Sequence, residues 1–201
     1  MEIFLRFEGC FGFFLDPDRF AQSFYAPEPF GHPLRPSRAL LSAVYLCSVA
    51  LSGEATLMVH EPIFLSRALY HTTRAPPCTH PSNVKHALQA EIIIANYYFL
   101  RGHIMEGKSH VDTAMLIATV HRAHKIDRMT GSEGAEVIEQ RERVNGFWRV
   151  YFFDKVWSIA GGFPSISPDG LTEESRIDAP WPLEPRQFRK VGICFDVLTF
   201  P

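Results

Sequence analysis

The 201-residue chain contains no CxxC pair, no block of lysine and arginine, and no uncharged apolar run of about 20 residues. Each absence removes a class of protein. Its four cysteines, Cys10, Cys47, Cys78 and Cys194, are too scattered for a zinc ribbon or a disulfide framework, which predicts reduced thiols and no zinc or other cofactor in this chain. A net charge of −2 with dispersed basic residues gives no broad footprint for nucleic acid. The apolar run at residues 144–166 carries Arg149, Asp154 and Lys155 at its middle, so no membrane association is expected. Acids at Glu2 and Glu8 interrupt the apolar N-terminus, and no signal peptide is read there.

Catalytic signatures are equally scarce. GxSxG, a P-loop, and a GxGxxG following a strand pattern are all missing. His103, His110, His121 and His124 would fall within roughly 60° of one another on a continuous helix. Yet His103 and His121 would stand about 27 Å apart, so one metal could take only the His121 and His124 pair from that helix. This HRAH pair lacks the glutamate of HExxH and a visible third ligand. No metal site and no enzymatic activity are therefore expected.

What the chain does have is helical patterning. Leu40, Val44, Cys47 and Leu51 form one stripe ended by Gly53, and Pro62 opens a second helix through Leu69. Residues 83–101 read as a helix buried on several sides, with Ser82 as its cap. Val111, Met115 and Ala118 mark another helix, and residues 135–160 a long aromatic one stopped by Gly161 or Gly162 with Pro164. No segment alternates with period two, so the predicted fold class is all-α, an array of packed antiparallel helices.

Asp154 raises the sharpest question. Its neighbours three and four residues away are Val150, Tyr151, Trp157 and Ser158, none of them basic, so a buried Asp154 must find a partner on another helix. Arg101, His103, His124 and Lys125 are the candidates by sequence position. An ion-paired Asp154 would be a tertiary tether; an unpaired one would be a carboxyl with a raised pKa.

Three separated segments, LQAEIIIANYYFLRGHIMEGKSHVDTAMLIATVHRAHKI, ERVNGFWRVYFFDKVWSIAGGFPSI and RIDAPWPL, together resemble the middle homology region of fungal-specific transcription factors. The pattern is carried by Gly102, Glu106, Gly107 and His110, then by Phe147, Trp148, Asp154, Lys155, Ser158, Gly162, Pro164 and Ile166, and finally by Pro180, Trp181 and Pro182. Lys155 stands where arginine is commoner. The resemblance implies residues 1–33 as a partly irregular N-terminal extension, residues 34–183 as an all-helical regulatory domain of xylanolytic-activator type, and residues 184–201 as an atypical or truncated tail.

It further implies a nuclear protein that regulates transcription. DNA would be bound through a separate N-terminal binuclear zinc cluster, which this chain does not contain. Met1 is accordingly expected to start a fragment, a truncated gene model or a paralogue without the cluster. The implied partners are a small-molecule effector or a transcriptional co-regulator, and Trp148, Tyr151, Phe152 and Trp157 are the candidate lining of an effector cavity, against the alternative that they are plain core. The rival function is a helical small-molecule-binding protein or enzyme with no role in transcription.

Overall fold

A computed structural model describes residues 2–32, 34–74, 81–125 and 135–182. The tail expected at residues 184–201, with Cys194, and the loop holding Cys78 lie outside the described residues. Eight helices and no strand occur among the described residues: α1 (Glu2–Arg6), α2 (Pro17–Phe24), α3 (Arg38–Ala50), α4 (Ala55–Met58), α5 (Glu61–Thr73), α6 (Pro81–Leu100), α7 (Ile104–Val120) and α8 (Ala135–Gly161). The fold is all-α. None of these helices is long and apolar enough to cross a membrane.

Helix α6 is the centre of the array, packed against α3, α5, α7 and α8. Its Leu88, Ile92, Ile93, Ile94, Ala95 and Phe99 are all buried, too many for one amphipathic stripe, which is what several packed neighbours require. Polar side chains on α6 then satisfy backbone groups of the irregular loop before α2. Gln89 Oε1 accepts from Phe14 N at 2.8 Å, and Asn96 Nδ2 donates to Phe11 O at 3.3 Å. Each is buried, so each bond offsets a desolvation cost that a solvent-facing amide would not incur.

The expected N-terminal extension is part of this core. Phe4, Phe11, Phe13, Phe14, Phe20 and Phe24 are buried, and Phe13 packs edge-on against Phe4 and Phe20 at centroid distances of 5.5 and 5.1 Å. Asp16 caps α2 by accepting from Arg19 N at 2.9 Å, with Pro17 in the first turn. The segment is irregular between its two helices, and its phenylalanines share one cluster with residues of α3, α6, α7 and α8.

Other helix limits differ in instructive ways. Ser82 lies inside α6 rather than capping it, because the helix already begins at Pro81. The short α4 was not foreseen and contributes no buried residue. α7 stops at Val120, and Arg122 adopts φ 52°, so His121 and His124 do not continue the helix that would have aligned them.

α7 approaches α6 closely at Gly107. A Cβ there would stand 2.3 Å from the Phe99 ring of α6. Gly107→Ala is expected to lower unfolding stability by about 1–3 kcal/mol through overpacking, measured by denaturant titration. A neutral result would mean that Phe99 has a second rotamer available.

Candidate functional site

The residues of the resemblance converge where the start of α7, the end of α8 and the end of α6 meet. At its centre is Asp154, which has no exposed surface. It is buried because it follows Phe147 and Val150 on the inward stripe of α8, at spacings of three and four residues.

Its basic partner is Lys108, a residue the sequence reading passed over. Lys108 Nζ lies 3.2 Å from Asp154 Oδ1 and also donates to Asp112, one turn along α7. The four expected partners are engaged elsewhere. Arg101 Nη2 meets Glu61 at 2.6 Å, His103 lies 3.6 Å from Glu106, His124 Nε2 is 3.0 Å from the Glu174 carbonyl, and Lys125 donates to Glu173 O at 2.6 Å. The missed signal is that Lys108 occupies the same stripe as Val111, Met115 and Ala118, one turn before Val111. A lysine on a buried stripe needs a carboxylate opposite it.

The second Asp154 oxygen holds the loop after α8. Oδ2 accepts from Ser165 Oγ at 2.6 Å and from Ser167 N at 3.0 Å. Lys155 then donates to the same Ser165 Oγ at 2.8 Å while its ammonium lies 5.2 Å from the Tyr151 ring centre. Both members of the Asp-Lys pair therefore fasten one loop, through one shared hydroxyl.

That loop can turn back because of how α8 ends. Phe163 N donates to Ser158 O at 2.9 Å, and Gly162 has φ 68°, placing glycine at the left-handed position of a Schellman motif. Ser158 Oγ adds a bond to Pro164 O at 3.3 Å. α6 ends the same way: Gly102 has φ 76°, and His103 N donates to Tyr98 O at 2.9 Å. Pro164 N carries no hydrogen to extend the helix, and Ile166 N stands 3.5 Å from Asp154 Oδ1.

The remaining motif residues brace this junction or sit near it. Glu106 is exposed in the first turn of α7, where a carboxylate complements the helix dipole. His110 stacks on Tyr98 and brings Nδ1 to 2.6 Å from Glu91 of α6. Phe147 is fully buried, and Trp148 Nε1 donates to Pro180 O at 2.7 Å with its ring 4.5 Å from Trp181, so α8 also retains the segment ending at Pro182.

The expected effector lining does not assemble. Trp148, Tyr151 and Phe152 share one side of α8, but Trp157 lies about 180° round the helix from Trp148 and stacks on Phe99 at 3.7 Å. The ring contacts of Trp148 and Tyr151 are with Phe147, Trp181 and each other, the packing alternative.

Among the described residues no group of three His, Cys, Asp or Glu side chains could hold a metal ion. His124 is buried on the carbonyl side of a turn, its own carbonyl accepting from Asp178 N and Ala179 N at 2.9 and 3.0 Å. Burial, with Glu61 adding to it, pushes the Cys47 thiol well above its ordinary pKa, which disfavours a thiolate nucleophile there.

Comparison of the chain with models of known families, with curated proteins and with solved structures gives no match.

Burial alone would raise the pKa of Asp154, but hydrogen bonds from Ser165, Lys108 and Ser167 outweigh it and hold the carboxyl below its ordinary value. Folding thus favours the ionised form. This contribution is present in full above about pH 4 and is lost as pH falls through the lowered folded value. Ser165→Ala removes the leading compensating bond, so its folded pKa should rise. The variant is expected to lose about 1 kcal/mol at neutral pH and to begin acid unfolding at a higher pH than the parent, followed by circular dichroism. An unchanged acid transition would deny Ser165 that role.

Proposed function

We infer that the chain is a regulatory domain of a fungal zinc-cluster transcription factor, responding in the nucleus to a small-molecule effector or a co-regulator. The observation that carries this reading is the convergence of separated motif residues on one junction. Asp154, Lys155, Ser158, Gly162, Pro164 and Ile166 form one helix-to-loop arrangement round a buried carboxylate, and a second, distant segment meets it at Lys108, next to Gly107, whose ammonium pairs with Asp154. Such a pattern has a structural reason to occur as a set, since Asp154, Lys155 and Ser158 all bond the loop that Gly162 turns back.

The role in this reading is regulatory rather than catalytic. A general acid working near neutral pH needs a raised pKa, and Asp154 is held in the opposite direction. A buried ion pair joining two helices and a loop suits an element that must keep one arrangement until a ligand favours another. In this reading DNA contact and zinc belong to the family's separate cluster and not to these helices.

The test is transcriptional. Fused to a heterologous DNA-binding domain in a fungal host, the full chain is expected to change reporter output, with an effector-dependent change on the order of fivefold. Reporter output identical to that of the DNA-binding domain alone, at equal nuclear abundance and across growth conditions, overturns this reading.

A further inference from the structure

A cavity of about 580 Å³ opens on the side of the fold away from Asp154, where the starts of α3 and α6 meet the end of α5. Arg35, Arg38 and Arg74 line it together with His32, His71 and His86, and no aspartate or glutamate is among its lining residues. In a chain whose net charge is −2, three guanidinium groups around one opening without a lining carboxylate make a local concentration of positive charge. The first turns of α3 and α6 add the positive ends of two helix dipoles to the same space.

The arginines are only partly committed to the protein. Arg35 spends its terminal nitrogens on Glu28 O at 3.0 Å and Phe24 O at 2.9 Å, which fixes the side chain, while its buried Nε has no hydrogen-bond partner. Arg38 makes one long contact, Nη2 to Phe30 O at 3.5 Å. Arg74 is laid over the Tyr70 ring at 4.7 Å, with one nitrogen 3.1 Å from the Tyr70 hydroxyl. Both Arg38 and Arg74 are exposed and retain donors for a ligand.

Two of the lining histidines are held towards the neutral form, mainly by burial, and His71 also feels Arg38. Burial, then Arg67 and Arg38, lower the pKa of His71. Burial, then Lys85, lowers His86 to about 4, leaving it neutral and able to accept from Ser37 N at 3.3 Å.

We propose that this cavity binds a phosphomonoester of a small organic molecule, its phosphate held among Arg35, Arg38 and Arg74. A carboxylate is satisfied by a single guanidinium fork, whereas the three terminal oxygens of a phosphate match three guanidinium groups, two from the entry to α3 and one from the end of α5. The volume greatly exceeds one phosphate ion and lies within the range of about 300–1,000 Å³ typical of small-molecule sites. Pro36, Ala39 and the Tyr70 ring give the organic part an apolar wall. The site stands independently of the transcriptional reading, because binding is measured on the purified chain without a reporter.

The experiment titrates the full chain with inorganic phosphate and with phenyl phosphate at ionic strength held constant by chloride, read by calorimetry and by the His71 imidazole resonances. Phenyl phosphate is expected to bind more tightly than phosphate, and either anion to raise the His71 pKa. The double variant Arg38→Gln/Arg74→Gln, which alters two exposed side chains, should weaken binding by about tenfold or more, while Arg19→Gln, which lines the adjoining cleft but not this cavity, should not. No binding beyond that of chloride, equal binding by the double variant, or an equal loss in Arg19→Gln would each overturn the proposal. Should the double variant fail to fold, the His71 response of the unaltered chain decides: an unmoved pKa in saturating phenyl phosphate overturns the site.

Discussion

The arrangement of α7, α8 and the loop that follows depends on one buried carboxylate. Asp154 occupies a position that the packing of α8 turns inward, so its charge must be compensated inside the protein or neutralised. Compensation comes from three directions: the Lys108 ammonium on α7, the Ser165 hydroxyl, and the backbone N–H of Ser167. The first ties α7 to α8, and the other two hold the loop after α8. A pair of this kind adds little net stability over an apolar replacement, but breaking one side alone typically costs about 3–5 kcal/mol, because the stranded charge remains buried. Its value to the fold is therefore uniqueness of arrangement more than strength.

The same logic runs through α6. An apolar helix buried on several sides would slide easily against its neighbours, since hydrophobic contact carries no direction. Its polar side chains supply the direction. Gln89 and Asn96 hold the loop containing Phe11 and Phe14, Glu91 holds His110 of α7, and Lys85 reaches Glu142 of α8 at 2.5 Å. Glu142 in turn accepts from Asp16 N at 3.0 Å, linking the start of α2 to the same helix pair. Buried phenylalanines provide the area, and these bonds choose the register.

Much of this was legible in the sequence where the signal is local. The stop of α8 could be read from Gly162 and Pro164, because helix termination is written in consecutive residues. That Asp154 needs a partner was legible from the apolar stripe around it. Which partner it takes was not, because the four candidates came from the helix ends, whereas Lys108 sits on the buried stripe of α7 with Val111 and Met115. The HRAH pair looked aligned only while α7 was assumed to continue; the left-handed backbone at Arg122 ends that alignment. The aromatic set of α8 failed as a cavity for a geometric reason available beforehand, the half-turn between Trp148 and Trp157. The cationic cavity was out of reach, since Arg74 at the end of α5 meets Arg35 and Arg38 at the entry to α3 only through the packing of α3, α5 and α6.

Lys108 and Asp154 act as one unit joining α7 to α8. A double-mutant cycle measures that dependence, with unfolding free energies for the parent, Lys108→Met, Asp154→Asn and the double variant. A coupling energy on the order of 2 kcal/mol is expected, the double variant being less destabilised than the sum of the single ones. Additivity within about 0.5 kcal/mol would contradict it, and would reduce the pair to two neighbours that do not depend on each other.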